Sequence, residues 1–416
     1  MDFSSMLSNL KRKADITATS ERRGTGSTKR TKLETETPSS LSSTTNSSVS
    51  KEMKRRRPFP KQKVEKIFLV CPPYVQTGGP EAMHQLCNKI NAKSDVPAYM
   101  LYLEDRRGRA VHAKNVVPLD AYSIYPNIKV CNDWNDEIAR FDVAANANPN
   151  GEYSSSLVIW PECWTNLIDS LEGRHQNSIW WLSVDNNNGK FSEWERTDIL
   201  HLHQSEYARC HIVNNLKKAS VSETTNEDEG ARTRSNLRVL PMTEYIPERC
   251  HSSELKGLKR DLDILYNPFK GIHYTDEIRK RSDTKFPFTP IGGGGEKRIS
   301  PKEVTKLLHR AKVYIDFGPH PGMDRLPREA AIANCIVITN RDGAAFHQKD
   351  VPIPDMYKIS DFCVESIHQL LRKSIGNYEE KKQDFDSYRN WITSQESIME
   401  SCIKGMIKST VTERSK

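Results

Sequence analysis

Apolar residues in this chain fall into short unbroken runs, and the polar stretches between them are long enough to hold helices. The first run, Ile67-Phe68-Leu69-Val70-Cys71, shows no polar alternation, which marks a strand buried on both faces of a parallel sheet. It passes into Pro72-Pro73-Tyr74-Val75-Gln76-Thr77-Gly78-Gly79-Pro80. A helical spacing follows from about Glu81, with Met83, Leu86, Cys87 and Ile90 on one face. Further strands are expected at Ala98 to Tyr102, Leu157 to Trp160, Ile179 to Leu182, Ile199 to His203 and Arg238 to Leu240. Two polar stretches, Ala144 to Ser156 and Val221 to Ser235, read as surface insertions. A second series of strands runs through Leu262 to Tyr266, Phe286 to Ile291, Val313 to Phe317 and Ile336 to Thr339. Ser300-Pro301-Lys302-Glu303 is a capping box with proline at the first helical position, so a helix is expected to about Ala311. One or two amphipathic helices should fill Ser366 to Ile407. Alternating strands and crossover helices define the class: α/β, two tandem Rossmann-like domains. The units read as 64–245, 246–375 and C-terminal helices over 376–416, with a hinge near Glu244 to Lys259.

The segment from Tyr314 to Asn340 carries the most chemistry. A buried strand leads into a loop with His320, Pro321, Gly322, Asp324, Arg325 and Arg328. A helix then opens at Arg328-Glu329, and a second buried strand runs from Cys335 to Thr339. Free amides and the positive end of a helix dipole at such a place favour an anion. In an open α/β sheet, ligands sit just beyond the carboxyl ends of the strands.

Charge changes the picture at one end only. Residues 1–63 hold 15 Lys/Arg against 6 Asp/Glu, whereas the remainder holds 47 against 48, so the net +8 belongs to the tail. The tail is poor in apolar residues and is expected to be disordered. Its clusters Lys11-Arg12-Lys13, Lys29-Arg30-Thr31-Lys32 and Lys54-Arg55-Arg56-Arg57 suit an import receptor, a nucleic acid or plain solvation. Nine scattered cysteines without a C-x-x-C pair favour free thiols in a reducing compartment. No apolar run approaches the ~18 residues a membrane helix needs. A soluble protein of the nucleus or cytoplasm is therefore expected.

Tandem Rossmann-like units with these loops resemble the GT-B fold of nucleotide-sugar glycosyltransferases, and more closely a set of bacterial polysaccharide-cluster glycosyltransferase-like proteins. The likeness rests on Thr77-Gly78-Gly79-Pro80-Glu81, the run Ile179-Trp180-Trp181-Leu182-Ser183-Val184-Asp185-Asn186, Gln204-Ser205-Glu206-Tyr207-Ala208, Tyr266-Asn267-Pro268-Phe269-Lys270-Gly271 and Ile315 to Glu329. These stand in the expected order between about residues 64 and 360. The resemblance implies that Gly78 and Gly79 let amides approach the donor, or else form an ordinary strand-to-helix turn. It implies that Lys270, with Asn267 and Gly271, meets the donor diphosphate, a task suited to a compact point charge. It implies that Glu329 holds the ribose, as the second glutamate of the E-x7-E signature of retaining enzymes.

Two departures stand out. Asn267 replaces a usual basic residue, and Pro321 stands where the first glutamate is expected, which leaves His320, Asp324 or Arg325 to substitute. Gly322, Arg325 and Arg328 are donor-side candidates, although the arginines can instead close a salt bridge with Asp316 or Asp324. Asp185 and His320 are the catalytic candidates. Ser205, Glu206 and Tyr207 are acceptor-side candidates, with Ser205 alternatively a helix cap. Trp180 and Trp181 suit either a core or a stacking surface. The Gly292-to-Gly295 run lacks the Lys-Ser/Thr of a P-loop and reads as a connector. Asp261-Leu262-Asp263 starts a strand, and no metal or other cofactor is expected beyond the nucleotide-sugar co-substrate. The expectation is a glycosyltransferase acting on an unidentified acceptor (glycan, protein or small molecule). Its rivals are an inactive GT-B scaffold serving as a nuclear sensor, and nucleic-acid binding through the tail.

Overall fold

The computed structural model describes residues 64–137, 155–171, 175–187, 189–196, 198–222, 239–251, 255, 257–280, 286–294 and 299–410. The basic tail over 1–63 lies outside these residues, as does most of each expected insertion.

The chain forms two sheets. The first has seven strands: β1 Val64–Cys71, β2 Ala98–Asp105, β3 Ala110–His112, β4 Ser155–Pro161, β5 His175–Trp181, β6 Ile199–His203 and β7 Val239–Pro241. Their order is β3-β2-β1-β4-β5-β6-β7, parallel except for the edge strand β3. The second has five parallel strands: β8 Leu262–Tyr266, β9 Phe288–Pro290, β10 Ala311–Asp316, β11 Ile336–Asn340 and β12 Lys358–Ile359, in the order β12-β11-β10-β8-β9. The unbroken apolar runs become central strands. From Ile67 to Cys71 every residue is at most 1% exposed, because helices cover both faces of the sheet.

Helices α1 Gly78–Lys93 and α2 Glu206–Ser222 flank the first sheet. Helices α3 Ile272–Arg279, α4 Pro301–Arg310, α5 Arg325–Ile332 and α6 Val364–Gly376 flank the second. The capping box closes in both directions: Glu303 N–H donates to Ser300 Oγ (3.2 Å), and Ser300 N–H to Glu303 Oε2 (2.8 Å). Helix α5 opens three residues earlier than the sequence suggests. Pro327 is tolerated in its first turn, where a backbone donor has no helical partner to lose.

After the short α7 Tyr378–Lys381, the long helix α8 Asp386–Thr410 ties the domains together. Tyr388 and Ile392 enter the core of the second domain, whereas Met399, Cys402, Ile403 and Met406 enter that of the first. The crossing from β7 is buried over Met242 to Ile246. It is anchored by Trp180 Nε1–H to the Met242 carbonyl (2.8 Å), Gln85 Nε2–H to the Tyr245 carbonyl (2.9 Å) and Thr243 Oγ1–H to Gln395 Oε1 (2.7 Å). Trp180 and Trp181 are fully buried core residues. Gly292 lies in a 3-10 turn over Ile291–Gly294. No helix among the described residues is long and apolar enough to cross a membrane.

Candidate functional site

The carboxyl ends of the two sheets face each other, and loops from both meet there. The loop after β10 is the centre. Val184 N–H donates to the Pro321 carbonyl (2.8 Å), and Met323 N–H to Gln204 Oε1 (3.1 Å). A Cβ on Gly322 would lie 1.9 Å from the Leu182 carbonyl oxygen, so only glycine lets the two backbones come this close. Gly322 thus sits at a backbone contact between the domains.

Lys270 reaches this loop from the turn after β8. Gly271 takes φ +60° and precedes α3, and a Cβ there would lie 2.7 Å from Gly318 N. The Lys270 stem in turn crosses Gly318, where a Cβ would lie 2.1 Å from Lys270 Cγ. Asn267 shapes the turn by accepting the Phe269 amide (3.0 Å). The ammonium so positioned lies 2.5 Å from Asp324 Oδ2, 3.1 Å from Asp316 Oδ1 and 3.3 Å from His320 Nδ1. His320 Nδ1 is also 2.9 Å from Asp324 Oδ2, with its ring 2% exposed. Burial pulls the Lys270 pKa down, but Asp316 and Asp324 outweigh it and hold it above the usual lysine value. Burial likewise raises that of Asp324, while His320 and Lys270 bring it below the ordinary carboxylate range. Asp316, His320 and Asp324 offer three ligand atoms within 4.8 Å of one another, a cation-sized cluster. The Lys270 ammonium pairs with both carboxylates and so places a positive charge there.

The arginines of the loop face a different set of carboxylates. Arg325 pairs with Glu244 (3.1 Å), Glu81 (3.6 Å) and Glu329 (3.6 Å), and Arg328 Nη2 with Glu244. Arg249 pairs with Glu81 (2.7 Å), and Tyr125 donates to the same carboxylate (2.8 Å). Of the alternatives open in the sequence, a salt bridge is what forms, but with Glu244 on the crossing segment rather than with Asp316 or Asp324. Burial alone would lower the Arg325 pKa, yet Glu244, Glu81 and Glu329 together raise it. Gly78, at the start of α1, packs against this arginine, its would-be Cβ 3.2 Å from Arg325 Cδ, while the same position on Gly79 meets open space.

On the first domain, Ser205 Oγ caps α2 by accepting from Ala208 N–H (3.0 Å). Glu206 pairs with Arg209 (2.6 Å), and Tyr207 OH donates to Asp185 Oδ1 (3.3 Å) at the exposed rim. Asp261 and Asp263 are held by Arg310 (2.6 Å) and Lys312 (2.8 Å).

The structure therefore gathers Lys270, Gly271, Gly322, His320, Asp324, Arg325, Arg328 and Glu329 around one loop, with Gly78 against it. Asp185, Glu206 and Tyr207 form a neighbouring rim. Local sequence did not single out Glu81 and Glu244, which neutralise the loop's arginines, Arg249, which shares Glu81 with Arg325, or Glu162. The Glu162 carboxylate, 3% exposed at the end of β4, accepts from Leu182 N–H (3.2 Å). Burial pushes its pKa up to about 7 against the pull of these amides. Its one sequence signal was its place after a buried strand.

No family model matches the sequence, and a search of curated proteins finds no match. Solved structures do resemble it. Sucrose-phosphate synthase from Thermosynechococcus elongatus is 11% identical, with a TM-score of 0.52 over 83% of this chain and 98% of that one. Trehalose-6-phosphate synthase OtsA is 9% identical, with a TM-score of 0.51 over 82% and 99%. HepE of Anabaena, in complex with UDP-glucose, is 10% identical, with a TM-score of 0.50 over 83% and 99%. These neighbours are GT-B glycosyltransferases, and over most of its length this chain has the GT-B fold.

Proposed function

We propose that the chain is a glycosyltransferase that takes a sugar from a nucleotide donor bound in the interdomain cleft. The observation that carries this reading is the crossing of Gly271 over Gly318. It brings a lysine and a helix start to the loop between β10 and α5, at the carboxyl ends of both sheets. In this reading Lys270 and the amides opening α3 neutralise the leaving diphosphate. Glu329 receives the ribose, and Asp185 and Tyr207 stand on the acceptor side. His320 holds Lys270 and Asp324 in place; buried at 2% exposure, it acts as a positioning residue. The neighbour solved with UDP-glucose supports a uridine donor as the first to try. A thermal-shift screen of the full chain against UDP-, GDP- and ADP-sugars tests the reading. One of them should raise the melting temperature, and Lys270→Ala, with its fold checked by circular dichroism, should remove the shift. No shift with any donor sinks it.

A second reading is a GT-B scaffold that has lost transfer. The Pro321–Met323 turn is bonded into the first domain, and Lys270 is already matched by two carboxylates. A donor must displace at least one of these partners. Binding without turnover across a range of acceptors supports the scaffold, and repeated turnover on a defined acceptor eliminates it. Nuclear import through the basic clusters of residues 1–63 is a separate proposal, tested by the location of a fluorescent fusion lacking them.

A further inference from the structure

Helix α2 is capped from both domains. The first amides of a helix have no partner inside it and must find one elsewhere. Here those of the first three helical residues are accounted for. Ala208 N–H goes to Ser205 Oγ (3.0 Å), and from Arg209 N–H to the Ser205 carbonyl (3.0 Å) the helix's own ladder begins. The two remaining donors, Glu206 N–H and Tyr207 N–H, both go to the carboxylate of Asp350, at 2.6 and 3.0 Å. Asp350 belongs to the second domain, 144 residues further along, and is 2% exposed. A carboxylate accepting two amides at the positive end of a 17-residue helix is a charge-assisted pair aided by the dipole. Lys349 adds a weaker link to Glu206 at 3.6 Å.

We propose that Asp350 is the latch of the interdomain cleft, completing the cap of α2 only while the domains are closed. The contact is polar on both sides. On opening, water takes the two amides and the freed carboxylate, so release breaks no apolar core at this point. The ion pairs of Arg325 and Arg328 with Glu244 differ in that Glu244 lies on the crossing segment itself, and only the 3.6 Å contact of Arg325 with Glu81 reaches a helix of the first domain. The Asp350 contact closes together with the bonds Val184 N–H to Pro321 O and Met323 N–H to Gln204 Oε1, which also join the two domains. Closing the latch therefore seats the loop that carries the candidate donor site. This holds whether or not a sugar is transferred.

Residue-resolved hydrogen exchange on the full chain is the test. In the unmodified protein, the Glu206, Tyr207 and Val184 amides should be protected and share one opening free energy. Asp350→Asn keeps the shape but weakens the acceptor. It should speed exchange at Glu206 and Tyr207 by about tenfold or more, the scale of one lost helix cap. Val184 should accelerate with them, and Ala208, held by Ser205, should not. Unprotected Glu206 and Tyr207 amides in the unmodified chain overturn the proposal, as do different opening free energies for the three. Acceleration of Glu206 and Tyr207 without Val184 also overturns it, leaving Asp350 as a cap and no more. The measurement on the unmodified chain decides the matter even if the variant does not fold.

Discussion

Replacing Gly322 with alanine isolates the contact that closes the cleft. The backbone there lies outside the left-handed region, so a side chain adds no φ strain, and the whole effect falls on the interface. The new Cβ would lie 1.9 Å from the Leu182 carbonyl oxygen, and real Cβ contacts do not fall below 3.0 Å. Moving the segments that far apart stretches the 2.8 Å bond from Val184 N–H to Pro321 O and the 3.1 Å bond from Met323 N–H to Gln204 Oε1 beyond useful range. Two such bonds contribute about 1 kcal/mol each, so closure should weaken by about 2 kcal/mol, roughly 30-fold in the open-to-closed ratio. Gly343→Ala is the contrast. It adds a comparable clash, 2.0 Å from the His320 carbonyl oxygen, but within the second domain and at φ +52°. Hydrogen exchange and thermal melting separate the two. Gly322→Ala should accelerate the Val184 amide while the core amides of β10 and β11 keep their protection, whereas Gly343→Ala should lower the melting temperature of the second domain. If Gly322→Ala leaves Val184 protected, or loosens β10 and β11 as much as Gly343→Ala does, the Gly322 contact is not what holds the two domains together.

Three other outcomes are expected. Lys270→Met leaves Asp316 and Asp324 facing each other without their cation and should cost about 3–5 kcal/mol in denaturant unfolding, part of it recovered by adding Asp324→Asn. The pair also sets the pH window. The raised Lys270 pKa gives stability that is complete below 10.5 and lost as pH rises through its folded value, and the lowered Asp324 pKa gives stability present above 3.8 and lost in acid. Glu162 acts with the opposite sign to Asp324. Its pKa rises from 4.5 to about 7 on folding, so the native state binds the extra proton and stability should fall between those pH values, by about 3 kcal/mol overall. Glu162→Gln should flatten that segment of the stability–pH curve, and an unchanged slope would show that the carboxyl is not responsible. Arg328→Ala leaves Glu244, 3% exposed, short of its main partner. It should cost about 3–5 kcal/mol, with a double-mutant cycle against Glu244→Gln showing strong coupling. Additive effects would deny the pair.

The fold was readable where burial writes itself into composition. Strands such as Ile67 to Cys71 and Ile336 to Ile338 are apolar on both faces because helices cover both sides of each sheet. The capping box at Ser300 was equally plain, since its two partners stand three residues apart. Of the four edge strands, β7 and β9 were expected to within two residues, whereas β3 and β12 were not readable. β3 and β12, three and two residues long, mix polar with apolar positions and form only because a neighbouring strand offers its edge. The central loop was found from its prolines, glycines and charges, but the partners of those charges were not. Glu244 lies 81 residues from Arg325 and 84 from Arg328, and Asp350 lies 144 from Glu206. Such pairings exist only once the two sheets face each other, and local spacing carries no trace of them. Glu162 was hidden for the same reason, as its partners come from the turn after β5.

If the proposed function is right, a nucleotide sugar should bind between Lys270-Gly271 and the loop from Gly318 to Glu329. Calorimetric titration of the full chain with UDP, GDP and ADP and their sugars, followed by hydrogen exchange with the best ligand, tests it most directly. Saturable binding that slows exchange in 267–272 and 318–329 is the predicted result. Absence of binding to every one of these ligands, or protection confined to other segments, would contradict it.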